Sequence, residues 1–305
     1  MTTIPVTDTG RRGPDRILLG LNQHHHPILW HRNHPTSPHL QISGSTGGGK
    51  GGALKPILTH CFKVGDIVPI VSPKGTGEFG WTEGAAAALV DTLEGSARVL
   101  AWARQQMERR QAIRRTTPNP RTGTTGVAHI DQTGQHHPAI TVILDEFAAI
   151  GGEEAATEKD DKPVVDRILA DTARIAKQGR SDKVHLVIVT QRPTIEGTFA
   201  TGGGAIQANL KARLHFDRDA DSLKAFAKGT ARIGPAALRD LNTATGAGRC
   251  LYVHLNPADG GTVHAGQIWW LEDEQCRPFA ERYTGPPPMT FDPEPVATER
   301  FTPHG

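Results

Sequence analysis

A glycine-dense segment between residues 44 and 52 constrains the fold of this chain more than any other feature. Six of its nine residues are glycine, and Lys50 stands among them. Glycines let backbone N–H groups turn inward around an anion, and the first turn of a helix adds its positive dipole end. An apolar run at 40–43 precedes the segment, and residues 53–61 have helical character. The pattern predicts a strand, a phosphate-binding loop and a helix in succession.

The loop fits the phosphate-binding pattern through Lys50 and departs from it at the next residue. The pattern expects Ser or Thr after the lysine, because that hydroxyl binds Mg²⁺, and this chain has Gly51 instead. Lys50 would supply a mobile cation to the β- and γ-phosphates. On its own, the loop is also compatible with a glycine-rich turn that binds nothing. The predicted phosphate contacts come from Gly44, Ser45, Thr46, Gly47, Gly48, Gly49, Lys50, Gly51 and Gly52.

Polar residues follow two apolar, β-type runs further along the chain. Asp145 and Glu146 come directly after Ile140–Leu144, and Gln191 follows Val184–Thr190. The carboxyl ends of parallel strands face the ligand crevice of an α/β sheet. We therefore predict that Asp145 binds Mg²⁺, that Glu146 acts as general base on the attacking water, and that Gln191 lies beside the γ-phosphate. Solvated acids and a strand-end hydrogen bond are the alternatives for these residues taken singly.

Strand and helix patterns alternate along the chain, which predicts βαβ units and an α/β fold. Uninterrupted apolar runs are typical of parallel strands that are buried on both faces. The sequence therefore predicts a central, mostly parallel sheet flanked by helices. Further strands are predicted at 17–21, 67–71, 212–216, 249–255 and 267–271, and helices at 85–115, 163–179, 222–227 and 272–282.

Composition excludes several classes of protein. The net charge of +2 excludes a simple polycation that binds nucleic acid by bulk charge. No run approaches the roughly 18 apolar residues of a membrane span, and the N-terminus lacks a secretory signal. Three widely spaced cysteines, Cys61, Cys250 and Cys276, fit a reducing cytosol. We expect a cytoplasmic protein that does not insert into a membrane.

Two local clusters allow more than one interpretation. Residues 98–121 contain seven arginines and one acid, Glu108. This segment could contact phosphates or a neighbouring subunit, or form a solvated helix face. Residues 24–39 contain six histidines, whose spacing fits no compact zinc motif and which have no Cys or carboxylate among them. A polar strand flank or an exposed loop is therefore favoured over a metal site.

Taken together, these motifs resemble the FtsK/SpoIIIE family of ATP-driven motors, including the TraB-like translocases of actinobacterial conjugation. The resemblance extends over residues 25–280, is most specific over 145–193 and is weaker at 207–213. Ser72 departs from the family, which usually has Asp before Pro-Lys. The matching segments are Pro38-His39-Leu40 with the loop through Lys50, Ser72-Pro73-Lys74, Met107-Glu108-Arg109-Arg110, Leu144-Asp145-Glu146-Phe147-Ala148, and residues 174–180 and 185–193.

The resemblance implies a RecA-like P-loop NTPase that uses ATP and Mg²⁺. It also implies a hexameric ring of copies of the chain, ATP sites between subunits, and double-stranded DNA in the central channel. Arg213, or as an alternative Arg180, is the implied charge donor to a neighbour's γ-phosphate. A membrane-anchored partner is compatible with this picture.

We therefore expect a flexible N-terminus at 1–15, one RecA-like motor domain at 16–283, and a proline-rich disordered tail at 284–305. We also expect an isolated, soluble motor domain, without the membrane anchor and the C-terminal winged-helix module that full-length members of the family often carry. The implied function is ATP-driven, DNA-stimulated translocation of double-stranded DNA in conjugation or in chromosome or phage DNA movement. One alternative is a degenerate nucleotide-binding or scaffold subunit, in which Gly51 leaves weak or no ATPase. The other is a protein-secretion motor, although such chains usually carry several motor domains.

Overall fold

The computed structural model describes residues 13–22, 24–75, 77–152, 155, 161–191, 204–217, 222–223, 226, 248–254, 262–287 and 289. The strands are β1 (Arg16–Asn22), β2 (Pro27–His31), β3 (Leu40–Ser43), β4 (Pro69–Val71), β5 (Ala88–Val90), β6 (Ile140–Leu144), β7 (Val184–Thr190), β8 (Ala212–His215), β9 (Arg249–His254) and β10 (Thr262–Ile268). The α-helices are α1 (Lys50–Val64), α2 (Leu93–Thr116), α3 (Ala148–Gly151), α4 (Lys162–Gln178), α5 (Gly204–Asn209) and α6 (Asp273–Glu281). The helix predicted at 222–227 and both predicted flanking segments lie mostly outside these residues, so the domain division stays a prediction.

All of these strands belong to one mixed sheet, in the order β2-β1-β10-β9-β8-β3-β7-β6-β4-β5. The six strands from β8 to β5 pair in parallel, which confirms the predicted parallel sheet for the half that carries the motifs. The four remaining strands extend the sheet beyond β8 in antiparallel pairings that the sequence did not predict. Because β3 lies between β7 and β8, with β6 beyond β7, their carboxyl ends open onto one edge.

Helices cover both faces of the parallel half. Ile143, Val187 and Val189 join a core that includes the apolar side of α1. The alternate residues of the same strands, among them Val142 and Leu186, join a second core with α2 and α4. Side chains of a strand point alternately to its two faces, so the uninterrupted apolar runs of β6 and β7 are explained by burial on both sides.

The helix predicted over 85–115 is wrong in its first part. Residues 88–90 form β5, an edge strand that pairs in parallel with β4. The helix begins only at Leu93, where the Thr92 hydroxyl oxygen accepts a hydrogen bond from the Gly95 N–H at 3.1 Å. A side-chain cap of this kind fixes a helix start. Pairing of β5 with β4 at the edge of the sheet therefore outweighs the helical propensity of the alanines at 85–88.

Two strands differ from the sequence prediction for a similar reason. The histidine-rich stretch contains β2, an edge strand whose Ile28 and Trp30 are buried. Strand β10 begins at Thr262 and ends at Ile268, so the strand predicted at 267–271 is displaced. Strand β2 pairs with β1, and β10 pairs with β9 and β1, in antiparallel arrangement. Local composition does not show these pairings.

Two buried histidines join β3 to α4 and β7. His39 Nδ1 accepts the Leu186 N–H at 3.0 Å, and its Nε2 lies 3.0 Å from the Ala176 carbonyl oxygen. His185, in β7, donates from Nδ1 to the Pro38 carbonyl at 3.1 Å. Burial lowers the pKa of His39 to about 4 and holds that of His185 well below its ordinary value. The native state therefore requires both rings to be neutral.

We expect the free energy of unfolding to fall as the pH drops from about 6.5 towards 4. In that window the unfolded chain binds a proton at His39 that the folded chain does not, so stability decreases with acidification. His39 alone should account for about 3 kcal/mol at most, from 1.36 kcal/mol per pKa unit. Denaturant unfolding at a series of pH values measures this. His39→Asn should flatten the dependence, whereas the same change at the exposed His24 should not. An unchanged slope in His39→Asn would contradict the assignment.

Candidate functional site

The glycine-rich loop leaves the carboxyl end of β3 and enters α1 at Lys50, as the sequence predicted. Gly44 and Gly49 have φ values of 149° and 112°, which L-residues with side chains rarely adopt. A Cβ on Gly44 would come within 2.8 Å of the Phe216 Cβ, and one on Gly49 within 3.2 Å of the Gly248 N. The loop is therefore pressed against β8 and the start of β9, and glycine is sterically required at positions 44 and 49.

Lys50 lies over this loop with its side chain largely buried. Its ammonium group donates to the carbonyl oxygens of Gly44 at 2.6 Å and Ser45 at 2.8 Å. Burial lowers the pKa of Lys50, and the nearby charge of Lys74 lowers it further. The lysine is thus preorganised at the mouth of the loop, where a phosphate would meet it.

The carboxylate of Asp145 lies directly after β6 and is only 6 % exposed. Its Oδ2 is 3.2 Å from the Ser72 hydroxyl, which also lies 3.0 Å from the Gly75 carbonyl oxygen. Burial raises the pKa of Asp145, and Glu78 and Glu146 add to this, while Lys74 and the Ser72 hydrogen bond act in the opposite direction. A buried carboxylate among other acids is a suitable ligand for a divalent cation.

Glu146 has both carboxylate oxygens engaged. Lys74 Nζ contacts Oε2 at 2.7 Å, and the Gln191 backbone N–H donates to Oε1 at 3.2 Å. Its backbone has φ of 54°, in the left-handed region. Such strain in a non-glycine residue is found mostly at functional sites. The strand end, Lys74 and β7 together fix where this carboxylate points.

Side chains from the ends of β7 and β8 hold the loop at two points. Thr46 Oγ1 donates to the Gln191 side-chain oxygen at 3.3 Å. The Ser45 N–H donates to Asp217 Oδ1 at 2.7 Å. Burial alone would raise the pKa of Asp217, but the hydrogen bonds from Ser45 outweigh it, and the pKa is lowered. The loop is thus coupled to both neighbouring strands.

A pocket of about 290 Å³ adjoins the first turns of α1. Gly51 and Gly52 form part of its wall, together with Glu78 and Trp270. A Cβ on Gly52 would come within 3.2 Å of the Trp270 ring, which is 48 % exposed. Lys55 lies over the same ring at 5.8 Å from its centroid and pairs with Asp273 at 2.9 Å.

The structure brings together Lys50, Asp145, Glu146 and Gln191 but places Arg213 differently. Arg213 is 3 % exposed and donates to the carbonyl oxygens of Leu210 at 2.8 Å and Phe226 at 2.6 Å. Its guanidinium group is thus bound within its own chain. A role in a neighbour's site would require these bonds to break, and this role stays a prediction, as does the alternative at the half-buried Arg180.

Three of the seven arginines in the arginine-rich segment are held by contacts within the chain. Arg110 is buried and donates to the carbonyl oxygens of Asp182 and Pro138. Arg104 pairs with Asp171 at 2.6 Å, and Arg114 pairs with Asp182 at 2.7 Å. These three arginines hold α2 to its neighbours. Arg109, Arg115 and Arg121 are exposed, so a contact with phosphates or with a neighbouring subunit stays a prediction for that part of the segment.

The described residues contain no group of three or more His, Cys, Asp or Glu side chains arranged to hold a metal ion. Within the histidine-rich stretch, His24 to His26 form an exposed turn, and His39 is buried and bonded to the Ala176 carbonyl oxygen. Among the described helices, none combines the length and the apolar character that crossing a membrane needs.

Sequence reasoning missed four residues of this site: Lys74, Glu78, Asp217 and Trp270. Lys74 belongs to the segment Ser72-Pro73-Lys74 that matches the family, but Glu146, with which it forms an ion pair, is distant in sequence. Asp217 follows strand β8, so the strand-end argument that found Gln191 could have found it too. Trp270 could not be found in this way, because it fell inside the strand predicted at 267–271. Glu78 carried no local signal.

The described elements form an α/β fold of the RecA-like P-loop type. Solved structures support the class: the pCW3 conjugation coupling protein TcpA, in monomer form with ATPγS, superposes with a TM-score of 0.72 at 21 % identity, covering 89 % of this chain and 71 % of that one. The cytoplasmic domain of the Thermomonospora curvata Type VII secretion ATPase EccC gives a TM-score of 0.60 at 17 % identity, covering 90 % of this chain and 32 % of that one.

Within that class the chain is similar to FtsK/SpoIIIE-type motors, as its motifs predicted. DNA translocase SftA of Bacillus subtilis is 25 % identical over 220 residues, which cover 67 % of this chain and 21 % of that protein. DNA translocase FtsK of Pseudomonas syringae pv. tomato is 28 % identical over 208 residues, covering 59 % and 24 %. The chain thus spans about a quarter or less of the length of these relatives. No family model matches the sequence.

We expect Glu146→Gly to be more stable than Glu146→Ala, by roughly 1 kcal/mol. Both changes remove the carboxylate and its contacts, but only glycine relieves the left-handed backbone, which costs about 1–2 kcal/mol for other residues. Urea unfolding of the two variants measures the difference.

The same pair of changes at Asp145, whose φ is not positive, provides the control. There the alanine variant should equal or exceed the glycine variant in stability. If alanine were also the more stable residue at position 146, the strain assigned to Glu146 would be contradicted.

Proposed function

We propose that this chain is an ATP-hydrolysing motor that moves double-stranded DNA. The observation that carries the proposal is the convergence of Lys50, Asp145, Glu146 and Gln191 on one edge of the sheet, around a loop shaped for phosphate. A lone glycine-rich turn would not need a buried lysine, a buried pair of acids and a polar strand end around it.

Each residue has a role that follows from its position. The loop N–H groups and Lys50 would hold the β- and γ-phosphates of ATP. Glu146, oriented by Lys74 and Gln191, would align the attacking water and accept its proton. Gln191, bonded to Thr46 of the loop, would respond to loss of the γ-phosphate and pass the change to β7.

Asp145 is the residue expected to hold Mg²⁺. The donor set fits the ion, because its carboxylate is buried, oxygen-based and placed beside the loop. Bound Mg²⁺ would neutralise charge that develops on the phosphate oxygens. Ser72 would keep the carboxylate oriented.

The sequence relatives support DNA as the cargo, since SftA and FtsK are named DNA translocases. Duplex DNA would be gripped electrostatically, so its binding should weaken steeply with salt. We also propose assembly into a ring, hexameric by resemblance, in which Arg213 or Arg180 faces the neighbour's site. A cytoplasmic location and a membrane-anchored partner belong to the same proposal.

A protein-secretion motor is the second candidate, favoured by the fold likeness to EccC. The relatives named above that match in sequence are DNA translocases, which favours DNA over protein as the cargo. A degenerate subunit is the third candidate, because Gly51 removes an expected hydroxyl. The ordered arrangement of Lys50, Asp145 and Glu146 argues against loss of the site.

The test is ATP hydrolysis with Mg²⁺, with and without duplex DNA. We expect the natural sequence to hydrolyse ATP and duplex DNA to raise the rate. Glu146→Gln should lower the rate by at least about 100-fold, the contribution of a general base, while nucleotide binding persists. Glu281→Gln, the same change at an exposed acid at the end of α6, should leave the rate unaltered.

Each alternative predicts a different result. Hydrolysis that appears only in Gly51→Ser would indicate a degenerate site. Hydrolysis that duplex DNA never stimulates, at any salt concentration, would remove DNA as the cargo and favour the secretion motor.

A further inference from the structure

Gly51 stands where related loops carry a Mg²⁺-binding hydroxyl, yet its backbone does not require glycine. It lies in the first turn of α1 with no positive φ. A Cβ built on it would meet only one heavy atom within 4 Å, at an ordinary van der Waals distance. Serine would therefore fit, and the absence of the hydroxyl has no steric cause.

The single atom near that position is a carboxylate oxygen. Oε2 of Glu78 lies 3.6 Å from the point that the Cβ of residue 51 would occupy. A serine hydroxyl oxygen would extend into the same region. The Glu78 carboxylate thus lies near the place that a serine hydroxyl would occupy, and it belongs to a different segment of the chain.

The segment that carries Glu78 is anchored in the core by its neighbours, while the Glu78 side chain is exposed. It forms a 3₁₀ helix, Gly77–Thr82, whose Phe79 and Trp81 are buried in the core beside α1. Thr82 Oγ1 donates to the Phe79 carbonyl oxygen at 2.7 Å. The carboxylate of Glu78 is exposed, and among the described residues no cation pairs with it. It is held near Gly51 and can still adjust.

The charges around Glu78 also suit a divalent cation. Asp145 is near enough for its charge to interact with that of Glu78, and its pKa is raised first by burial and then by the charge of Glu78. Two carboxylates that repel each other are relieved by an ion between them. Mg²⁺ is typically held by one or two carboxylates together with phosphate oxygens.

We propose that Glu78 is a Mg²⁺-positioning residue of this site and compensates for the hydroxyl missing at Gly51. This inference rests on the proposed nucleotide-binding function. It makes Gly51 and Glu78 a matched pair, in which the carboxylate takes the place of the missing hydroxyl.

The test is the Mg²⁺ dependence of nucleotide binding, measured with a fluorescent ADP analogue titrated at several Mg²⁺ concentrations. Four proteins are compared: the natural sequence, Glu78→Gln, Gly51→Ser, and the double variant. Loss of a metal-site residue typically costs about 10–100-fold in metal affinity. We expect Glu78→Gln to lose at least tenfold in apparent Mg²⁺ affinity, with metal-free nucleotide binding retained.

The double variant should regain most of that loss, because the serine restores a hydroxyl ligand. Gly51→Ser alone adds a hydroxyl beside the intact carboxylate and should bind Mg²⁺ at least as tightly as the natural sequence. Glu83→Gln, the same change at an exposed acid five residues further on, controls for surface charge.

Two results would overturn the inference. An equal loss of binding with and without Mg²⁺ would show that Glu78 contacts the nucleotide itself. A loss that the serine does not rescue would show that the two positions are independent. If the natural sequence bound no nucleotide at all, the proposed function would fail, and this inference with it.

Discussion

The parallel pairing of β3 with both β7 and β8 places the polar groups of the candidate site. Ser43 is level with Thr190 on one side and with His215 on the other. The loop therefore starts where both neighbours end, and Gln191 and Asp217 reach it within one or two residues of their strands. A shift of one residue in either pairing would turn these side chains to the opposite face of the sheet.

Much of this site could be predicted because strand-end chemistry is local in sequence. An apolar run followed by Asp145 and Glu146 indicates both a strand and its function. The parts that could not be predicted depend on where loops return after β4, β8 and β10. Lys74 and Glu78 become site residues only because Phe79 and Trp81 anchor their segment beside α1. That anchoring is tertiary packing, which local patterns do not encode.

The same limit applies to the fold. The strands buried on both faces were found at their true positions, since no other element explains such runs. The edge strands β2 and β5 were missed, because pairing decides them more than composition does. For β2 the sequence shows no alternation of polar and apolar residues, because Leu29 is apolar and yet exposed between the buried Ile28 and Trp30. In the arginine-rich segment the excess charge is real, and Asp171 and Asp182, in α4 and the turn after it, pair with two of its arginines.

The position of Trp270 gives the molecule an optical property. Its indole ring stands beside Gly52, partly exposed, within a short distance of the loop that would receive phosphate. Indole emission depends on the polarity and charge of its surroundings, and a nucleotide at this loop would alter both. Occupancy of the site should therefore be readable from the protein's own fluorescence, without any attached label.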